Sequence, residues 1–382
     1  MQQTRDQVNP TVQSMRITER KVKDLMANNT KRLVEVPYTA SLSLVMSTLV
    51  ANNVLAVPAV APPGQWIGAG GSMIVETDKQ TGTPRKHYIG MVTMFDIVAH
   101  IAGDDHLSHD GDGTEDLQEK LSAPVSSIIG HCVEGLNLWT LSPNTSLTDC
   151  MEVFSKGVHR ALIPVDSSQM QEISDSGGIE VMESSSGHRM LTQMDVIKFL
   201  KQHTTDELNY IMRRSVEDLC AVTDKVYAIT ERTRLIDAIR CLKASMLNAV
   251  PIINASEVGP DDHKQLLNGR SRKLIGTFSA TDLRRCDLET LRFWLGKSAL
   301  KFTEINQESS STTTTTTGSS SSSRRELVTC NAETPLSEVV DKAVTRHVHR
   351  VWVVDQEGLL VGVVSLSDII RVIRTCLLST KW

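Results

Sequence analysis

Near the C-terminal end, apolar residues follow a helical spacing and then two extended runs. One helical face is formed by residues at positions i, i+3, i+4, i+7 and i+8, namely Leu336, Val339, Val340, Ala343 and Val344. The preceding Thr334-Pro335 predicts an N-cap followed by a proline at the first helical position. Extended runs at 351–355 and 361–364 follow, and Ser365 to Asp368 opens another helix. With a short run at 327–330 in front, the pattern predicts strand, helix, strand, strand, helix.

The same order of apolar and polar positions occurs three more times upstream. Helix faces are predicted by Leu42, Val45, Met46 and Leu49, by Leu147, Met151 and Phe154, and by Leu235, Ala238, Ile239 and Leu242. Every copy closes with a Ser/Thr-x-x-Asp motif that opens its second helix; these motifs are Thr93 to Asp96, Thr192 to Asp195, Ser279 to Asp282 and Ser365 to Asp368. Four copies of the same ordered landmarks predict an α/β fold built from four β-α-β-β-α repeats.

The stretches between these landmarks are polar or rich in Gly, Pro and Ser, and they are predicted to be loops and linkers. Within the repeats, such loops are predicted at 62–84, 167–187 and 257–272. The Ser/Thr tract at 309–323 cannot bury apolar surface and is predicted to be disordered. The predicted division of the chain is an N-terminal polar segment at 1–19, repeat 1 with a long internal loop at 20–103, an acidic linker at 104–123, repeat 2 at 124–203, a linker at 204–216, repeat 3 at 217–290, a linker with the Ser/Thr tract at 291–323, and repeat 4 at 324–382.

The repeats resemble cystathionine-β-synthase-type (CBS) repeats over nearly the whole chain. Family members pair two repeats into a Bateman module, so the resemblance implies two tandem modules with nucleotide sites in their clefts. The closer resemblance is to the regulatory γ subunits of AMP-activated and sucrose-non-fermenting-related protein kinases, and within them to the plant γ-like branch. It is carried by the run Ser142 to Leu147, by Val158-His159-Arg160 with 164–166, and by Val348-His349-Arg350 with 353–355.

The four Ser/Thr-x-x-Asp motifs have two interpretations. In the family, the aspartate binds the ribose of a nucleotide, which implies Thr93, Asp96, Thr192, Asp195, Ser279, Asp282, Ser365 and Asp368 as ribose-site residues. Backbone N–H groups at a helix start also favour phosphate. The same spacing is close to a capping box, which stabilises a helix start without any ligand. Both roles are compatible, and spacing alone leaves them open.

Two His-Arg pairs stand directly before the central extended runs of repeats 2 and 4. Arginine presents a planar fork of donors that fits phosphate, and histidine adds a further donor. By resemblance, His159, Arg160, His349 and Arg350 are the predicted phosphate contacts. A single such pair would be an ordinary solvated charge, but its recurrence in both even-numbered repeats favours binding.

Repeats 1 and 3 depart from this pattern. Leu55 stands where other members often have arginine, the His-Arg position of repeat 3 is matched to Ser245-Met246, and its strand ends in Asn254 instead of aspartate. We therefore leave open which clefts are occupied. A CBS scaffold that assembles a kinase complex without responding to nucleotides remains the alternative function.

The resemblance implies AMP, ADP or ATP as ligands and the catalytic (α) and β subunits of a protein kinase as partners, with no cofactor or metal required. The repeats leave no room for a catalytic domain, and kinase signatures are absent, so no enzyme activity is expected. A net charge of −5 makes nucleic acid an unexpected partner. The lack of a signal-like N-terminus or a long apolar run predicts a chain that does not enter membranes and is located in the cytoplasm, the nucleus or both.

Overall fold

The computed structural model describes residues 16–27, 29, 31–61, 88–103, 114–130, 138–165, 187–203, 205–254, 263–284, 286–308 and 327–379. Each repeat has the predicted order of strand, helix, strand, strand, helix. In repeat 1 these elements are Val36–Pro37, Leu42–Ala51, Ala56–Val60, Tyr88–Thr93 and Met94–Ala102. In repeat 2 they are Trp139–Thr140, Leu147–Ser155, Arg160–Pro164, His188–Thr192 and Gln193–Gln202.

Repeat 3 contains Tyr227–Thr230, Leu235–Ala244, Ala249–Ile253 and Leu274–Ser279, with an added strand at Leu267–Asn268. Its last helix is a single 3-10 turn, Ala280–Leu283, where repeats 1, 2 and 4 have an α-helix. Repeat 4 contains Thr329–Cys330, Leu336–Thr345, Arg350–Val354, Leu360–Ser365 and Leu366–Ser379. The predicted fold class of four β-α-β-β-α repeats in two tandem modules is confirmed.

One detail of repeat 4 differs from the sequence prediction. Pro335, and not Thr334, occupies the N-cap of Leu336–Thr345, and it makes no side-chain cap. Thr334 Oγ1 instead accepts a hydrogen bond from the Asn331 N–H at 3.0 Å and donates to Asn331 Oδ1 at 2.9 Å. The threonine therefore closes the turn before the helix.

Within each tandem module, the two repeats are joined by reciprocal exchange of the segments that precede each repeat, which we call lead segments. The lead segment of repeat 1 bridges repeat 2 (Lys21 with Ser146), and that of repeat 2 bridges repeat 1 (Pro124 with Ser41). Repeats 3 and 4 exchange likewise, through Ser215 with Pro335 and Ser298 with Arg234. Each repeat therefore completes its partner, which defines modules 1–2 and 3–4.

The exchange satisfies donors that a helix start leaves unpaired. The first N–H of each repeat's first helix donates to a lead-segment carbonyl, with Leu42 to Ala123 at 3.0 Å, Leu147 to Arg20 at 2.8 Å, Leu235 to Lys297 at 2.8 Å and Leu336 to Arg214 at 2.9 Å. The lead segments are thus a structural part of the repeats.

Helices stand in segments that the sequence analysis assigned to linkers, among them Thr114–Ser122, Asp206–Arg213 and Ala299–Glu308. The assignment of Ala299–Glu308 to a linker is wrong, because Ala299 and Phe302 are fully buried in the core. Gly276 permits this packing, since a Cβ there would lie 2.6 Å from Leu300. The Ser/Thr tract at 309–323, the loop at 62–84, most of the loop at 167–187 and the acidic stretch 104–113 lie outside the described residues.

Two large hydrophobic cores cross the boundary between modules. One combines repeats 1 and 3, and the other combines repeats 2 and 4. A smaller cluster joins the sheets of repeats 3 and 4 within their module and includes Trp352 and Ile253. The four repeats therefore form a ring in which every repeat contacts its module partner through exchanged lead segments and a repeat of the other module through a shared core. None of the helices in the described ranges is long and apolar enough to cross a membrane.

Candidate functional site

A cleft opens where the four repeats meet. Its empty space, which includes solvent at the open mouth, is about 510 Å³. The lining residues come from the turn before each central strand and from the start of the last helix in repeats 1 and 3: Leu55, Thr93, Met94, Phe95, His159, Arg160, Asn248, Ser279, Ala280, Thr281, His349 and Arg350. Every repeat contributes to this one cleft.

A left-handed residue turns the chain from the first helix into the central strand in every repeat. The φ angle is 51° at Asn53, 90° at Gly157, 54° at Met246 and 52° at His347. Two positions later stands a residue that lines the cleft, and we call these four the corner residues: Leu55, His159, Asn248 and His349. The backbone therefore makes these four positions equivalent.

This equivalence corrects the sequence alignment of repeat 3. Ala249 faces Ser279 across the antiparallel pair in the same way that Arg160 faces Thr192 and Arg350 faces Ser365. The counterpart of the His-Arg pair is thus Asn248-Ala249, and the match to Ser245-Met246 was wrong. In repeat 1 the counterpart is Leu55-Ala56. Counting from the start of the central strand would have identified Asn248.

The corner carbonyls hold the start of the last helix in place. The Leu55 carbonyl accepts from the Met94 N–H at 3.4 Å, His159 from Gln193 at 3.2 Å, Asn248 from Ala280 at 2.8 Å and His349 from Leu366 at 3.0 Å. These bonds fix the distance between the corner and the Ser/Thr-x-x-Asp motif within each repeat. The two predicted kinds of site residue are therefore positioned together by the backbone.

All four Ser/Thr-x-x-Asp motifs form helix caps. The backbone N–H of the Ser or Thr donates to Oδ2 of the aspartate at 2.7 Å in repeat 1, 2.9 Å in repeat 2, 2.7 Å in repeat 3 and 3.0 Å in repeat 4. Asp96 is only 2% exposed, and Thr93 Oγ1 also donates to it at 2.6 Å. The capping interpretation is thus supported by geometry in every repeat, and it does not exclude a ligand.

The motifs of the four repeats differ in their relation to the cleft. Thr93 and Ser279 line it, so Asp96 and Asp282 lie directly behind lining residues. The motif residues Thr192, Asp195, Ser365 and Asp368 are not among its lining residues. The second carboxylate oxygen of Asp368 accepts from Arg371 at 3.2 Å. Of the predicted ribose residues, Thr93 and Ser279 of repeats 1 and 3 therefore line this cleft, and those of repeats 2 and 4 do not.

All four predicted phosphate residues lie in the cleft, and the tertiary structure brings His159-Arg160 together with His349-Arg350. Arg160 and Arg350 are its two arginines, and all four side chains are partly buried, where charge is screened less than at the surface. Such a group of donors fits a phosphate-sized anion. Sequence reasoning missed the lining residues Asn248 and Thr281. In the part of the chain that is described, no group of three or more His, Cys, Asp or Glu side chains could hold a metal ion.

Comparison with known proteins gives close relatives over almost the full length. The family model described as CBS domain matches residues 323–375. The chain is 56% identical over 355 residues to the Arabidopsis thaliana protein SNF1-related protein kinase regulatory subunit gamma-like PV42a, covering 93% of this chain and 95% of that protein. It is 52% identical over 364 residues to PV42b of the same organism, covering 95% and 97%.

More distant relatives share the architecture. The 5'-AMP-activated protein kinase subunit gamma of Saccharomyces cerevisiae is 25% identical over 186 residues, which is 48% of each chain. A solved structure from Methanocaldococcus jannaschii, described as an archaeal homolog of g-AMPK, matches with a TM-score of 0.56 at 19% identity, covering 92% of this chain and 99% of that one. That structural likeness concerns the fold alone.

Proposed function

The chain belongs to the family of gamma-like regulatory subunits of SNF1-related protein kinases, and from this premise we propose that it binds adenine nucleotides in the central cleft and thereby modulates an associated serine/threonine kinase. Its relatives are regulatory subunits and not catalytic ones. In this proposal the chain is a non-enzymatic γ-like subunit that assembles with catalytic (α) and β subunits in the cytoplasm or nucleus.

The observation that carries the proposal is the convergence of both His-Arg pairs on one cleft. The pairs are separated by about half of the chain, yet Arg160 and Arg350 line the same cavity. Two arginines and two histidines at one cleft present several charge-assisted donors, and this favours phosphate as the part of the ligand bound here.

The other side of the cleft fits the sugar of a nucleotide. Thr93 and Ser279 present hydroxyl groups, and the Asp96 and Asp282 carboxylates lie directly behind them. These hydroxyl groups can bond ribose hydroxyls, whereas the carboxylates behind them repel phosphate. A nucleotide with its ribose near repeat 1 or 3 and its phosphate at Arg160 and Arg350 satisfies both sides.

Regulation follows from the position of the cleft between the two hydrophobic cores. A ligand that contacts Thr93 on one core and Arg350 on the other binds most tightly to one arrangement of the cores. It therefore shifts the population toward that arrangement, by as much as its affinities for the two arrangements differ. A kinase subunit that contacts both cores would sense this shift.

The test is calorimetric titration of the purified chain with AMP, ADP, ATP and S-adenosylmethionine, repeated with an Arg160→Ala/Arg350→Ala variant. Losing two charge-assisted contacts of about 1.5–3 kcal/mol each should weaken nucleotide binding at least tenfold. The matched control is Arg270→Ala, because Arg270 is exposed and pairs with Asp224 at 3.3 Å on the surface. The control should bind as the wild type does.

Kinase modulation needs a second measurement. The chain is co-expressed with the kinase catalytic and β subunits, and the activity of the purified complex is compared with and without the tightest-binding nucleotide. A change that disappears in the Arg160→Ala/Arg350→Ala complex supports a nucleotide-responsive subunit. Stable assembly without nucleotide binding would instead favour the scaffold function, for which the neutral corners Leu55 and Asn248 provide an argument.

A further inference from the structure

The four equivalent corners do not carry equivalent chemistry. Repeats 2 and 4 place His159 and His349 at the corner position, each followed by an arginine, whereas repeat 1 has Leu55 and repeat 3 has Asn248. Ala56 and Ala249, which occupy the arginine positions, are buried. Two corners are therefore cationic and two are neutral.

The cationic corners are neighbours in the ring of repeats. Repeats 2 and 4 share one hydrophobic core and repeats 1 and 3 share the other. The cleft thus has a cationic half on the first core and a neutral half on the second. None of the lining residues in the neutral half is charged, and the Asp96 and Asp282 carboxylates lie behind Thr93 and Ser279.

A charge count limits what this cleft holds. A phosphate monoester carries about −1.5 to −2 near neutral pH, which the two arginines balance. A second monoester would leave the cleft with an excess of about two negative charges next to the Asp96 carboxylate. Like charges held together in one partly buried cleft repel each other strongly.

We propose that Leu55 and Asn248 are specificity-determining residues that restrict the central cleft to a single nucleoside monophosphate-sized ligand, held in one orientation with its phosphate at repeats 2 and 4. This inference rests on the proposed nucleotide-binding function. The apolar Leu55 excludes a second phosphate from the corner of repeat 1. Asn248 offers a neutral amide at the corner of repeat 3, where it can bond a sugar or base but adds no charge.

The test is the stoichiometry of AMP binding, measured by calorimetry for the wild type and for a Leu55→Arg/Asn248→Arg variant. We expect one AMP per wild-type chain. The variant should bind a second AMP, or bind one about tenfold more tightly, because each added arginine supplies a charge-assisted contact. The control is Leu44→Arg, which adds one arginine at a site that is 53% exposed and does not line the cleft. It should bind as the wild type does.

The outcomes separate this inference from the proposed function. If the wild type binds none of AMP, ADP and ATP, both are overturned, and if it binds ADP or ATP but not AMP, only this inference is overturned. If the wild type binds two or more AMP molecules, or the folded double variant keeps wild-type stoichiometry and affinity, only this inference is overturned. Should the double variant fail to fold by circular dichroism, Asn248→His replaces it, since Asn248 is only partly buried. Tighter AMP binding by that variant supports the inference, and unchanged affinity overturns it.

Discussion

Phe302→Ala provides a direct test of the packing of the segment between repeats 3 and 4. Phe302 is 0% exposed, and its ring centroid lies 6.4 Å from Phe278 and 6.0 Å from Trp294, both in edge-to-face geometry. Truncating a buried phenylalanine removes its apolar burial and leaves a cavity, at a cost of about 3–5 kcal/mol. The two aromatic pairs account for about 0.5–1.5 kcal/mol each within that total. This is a large share of the ~5–15 kcal/mol by which domains are stable.

The measurement is urea unfolding monitored by circular dichroism. The urea concentrations at the midpoints of variant and wild type are compared, provided that the dependence of the unfolding free energy on urea is unchanged. The matched control is Phe293→Ala, because Phe293 is 60% exposed on the neighbouring helix. Its ring contacts the Lys297 ammonium 2.8 Å from the centroid, an exposed cation–π contact of about 0.5–1 kcal/mol. If Phe302→Ala lowers the free energy of unfolding by less than about 1 kcal/mol, or by no more than the control does, the assignment of the helix Ala299–Glu308 to the core is refuted.

Three further predictions concern the contacts between repeats and a buried thiol. Gln193→Leu should lower the free energy of unfolding by about 1–3 kcal/mol, because Gln193 Nε2 donates to Ser367 Oγ at 2.8 Å and so links repeats 2 and 4. Equal stability of variant and wild type in urea unfolding would contradict this link. Gly362→Ala should destabilise the chain because its Cβ would lie 2.5 Å from a neighbouring side chain, whereas Gly296→Ala meets nothing within 4 Å and should be tolerated, as thermal unfolding would show. Burial raises the pKa of the Cys150 thiol from 9.0 to about 12, so its contribution to stability is full below pH 9 and is lost as pH rises toward 12. Between pH 8 and 11, the free energy of unfolding in urea should therefore fall less for Cys150→Ala than for the wild type. An equal fall would contradict the burial of the Cys150 thiol.

The candidate site was predictable in part because two of its components are local. The Ser/Thr-x-x-Asp spacing sets a helix cap within four residues, and each His-Arg pair directly precedes or begins a strand. Asn248 was missed because repeat 3 has no His-Arg pair to mark the position, which lies two residues after the left-handed residue Met246. Backbone conformation at a helix end depends on tertiary context and leaves no signal when the residue is methionine instead of glycine.

The sequence by itself determined the four repeats, their order of elements and the positions of the four Ser/Thr-x-x-Asp motifs, because the periodicity of apolar side chains and the spacing of a motif act over a few residues. The exchange of lead segments, the helices within predicted linkers and the pairing of repeat 1 with 3 and of 2 with 4 were decided by the tertiary structure alone. These features depend on which apolar faces meet across long stretches of chain, and similar repeats present similar faces to one another. The same long-range packing brings Arg160 and Arg350 to one cleft while leaving the aspartate motifs of repeats 2 and 4 outside its lining.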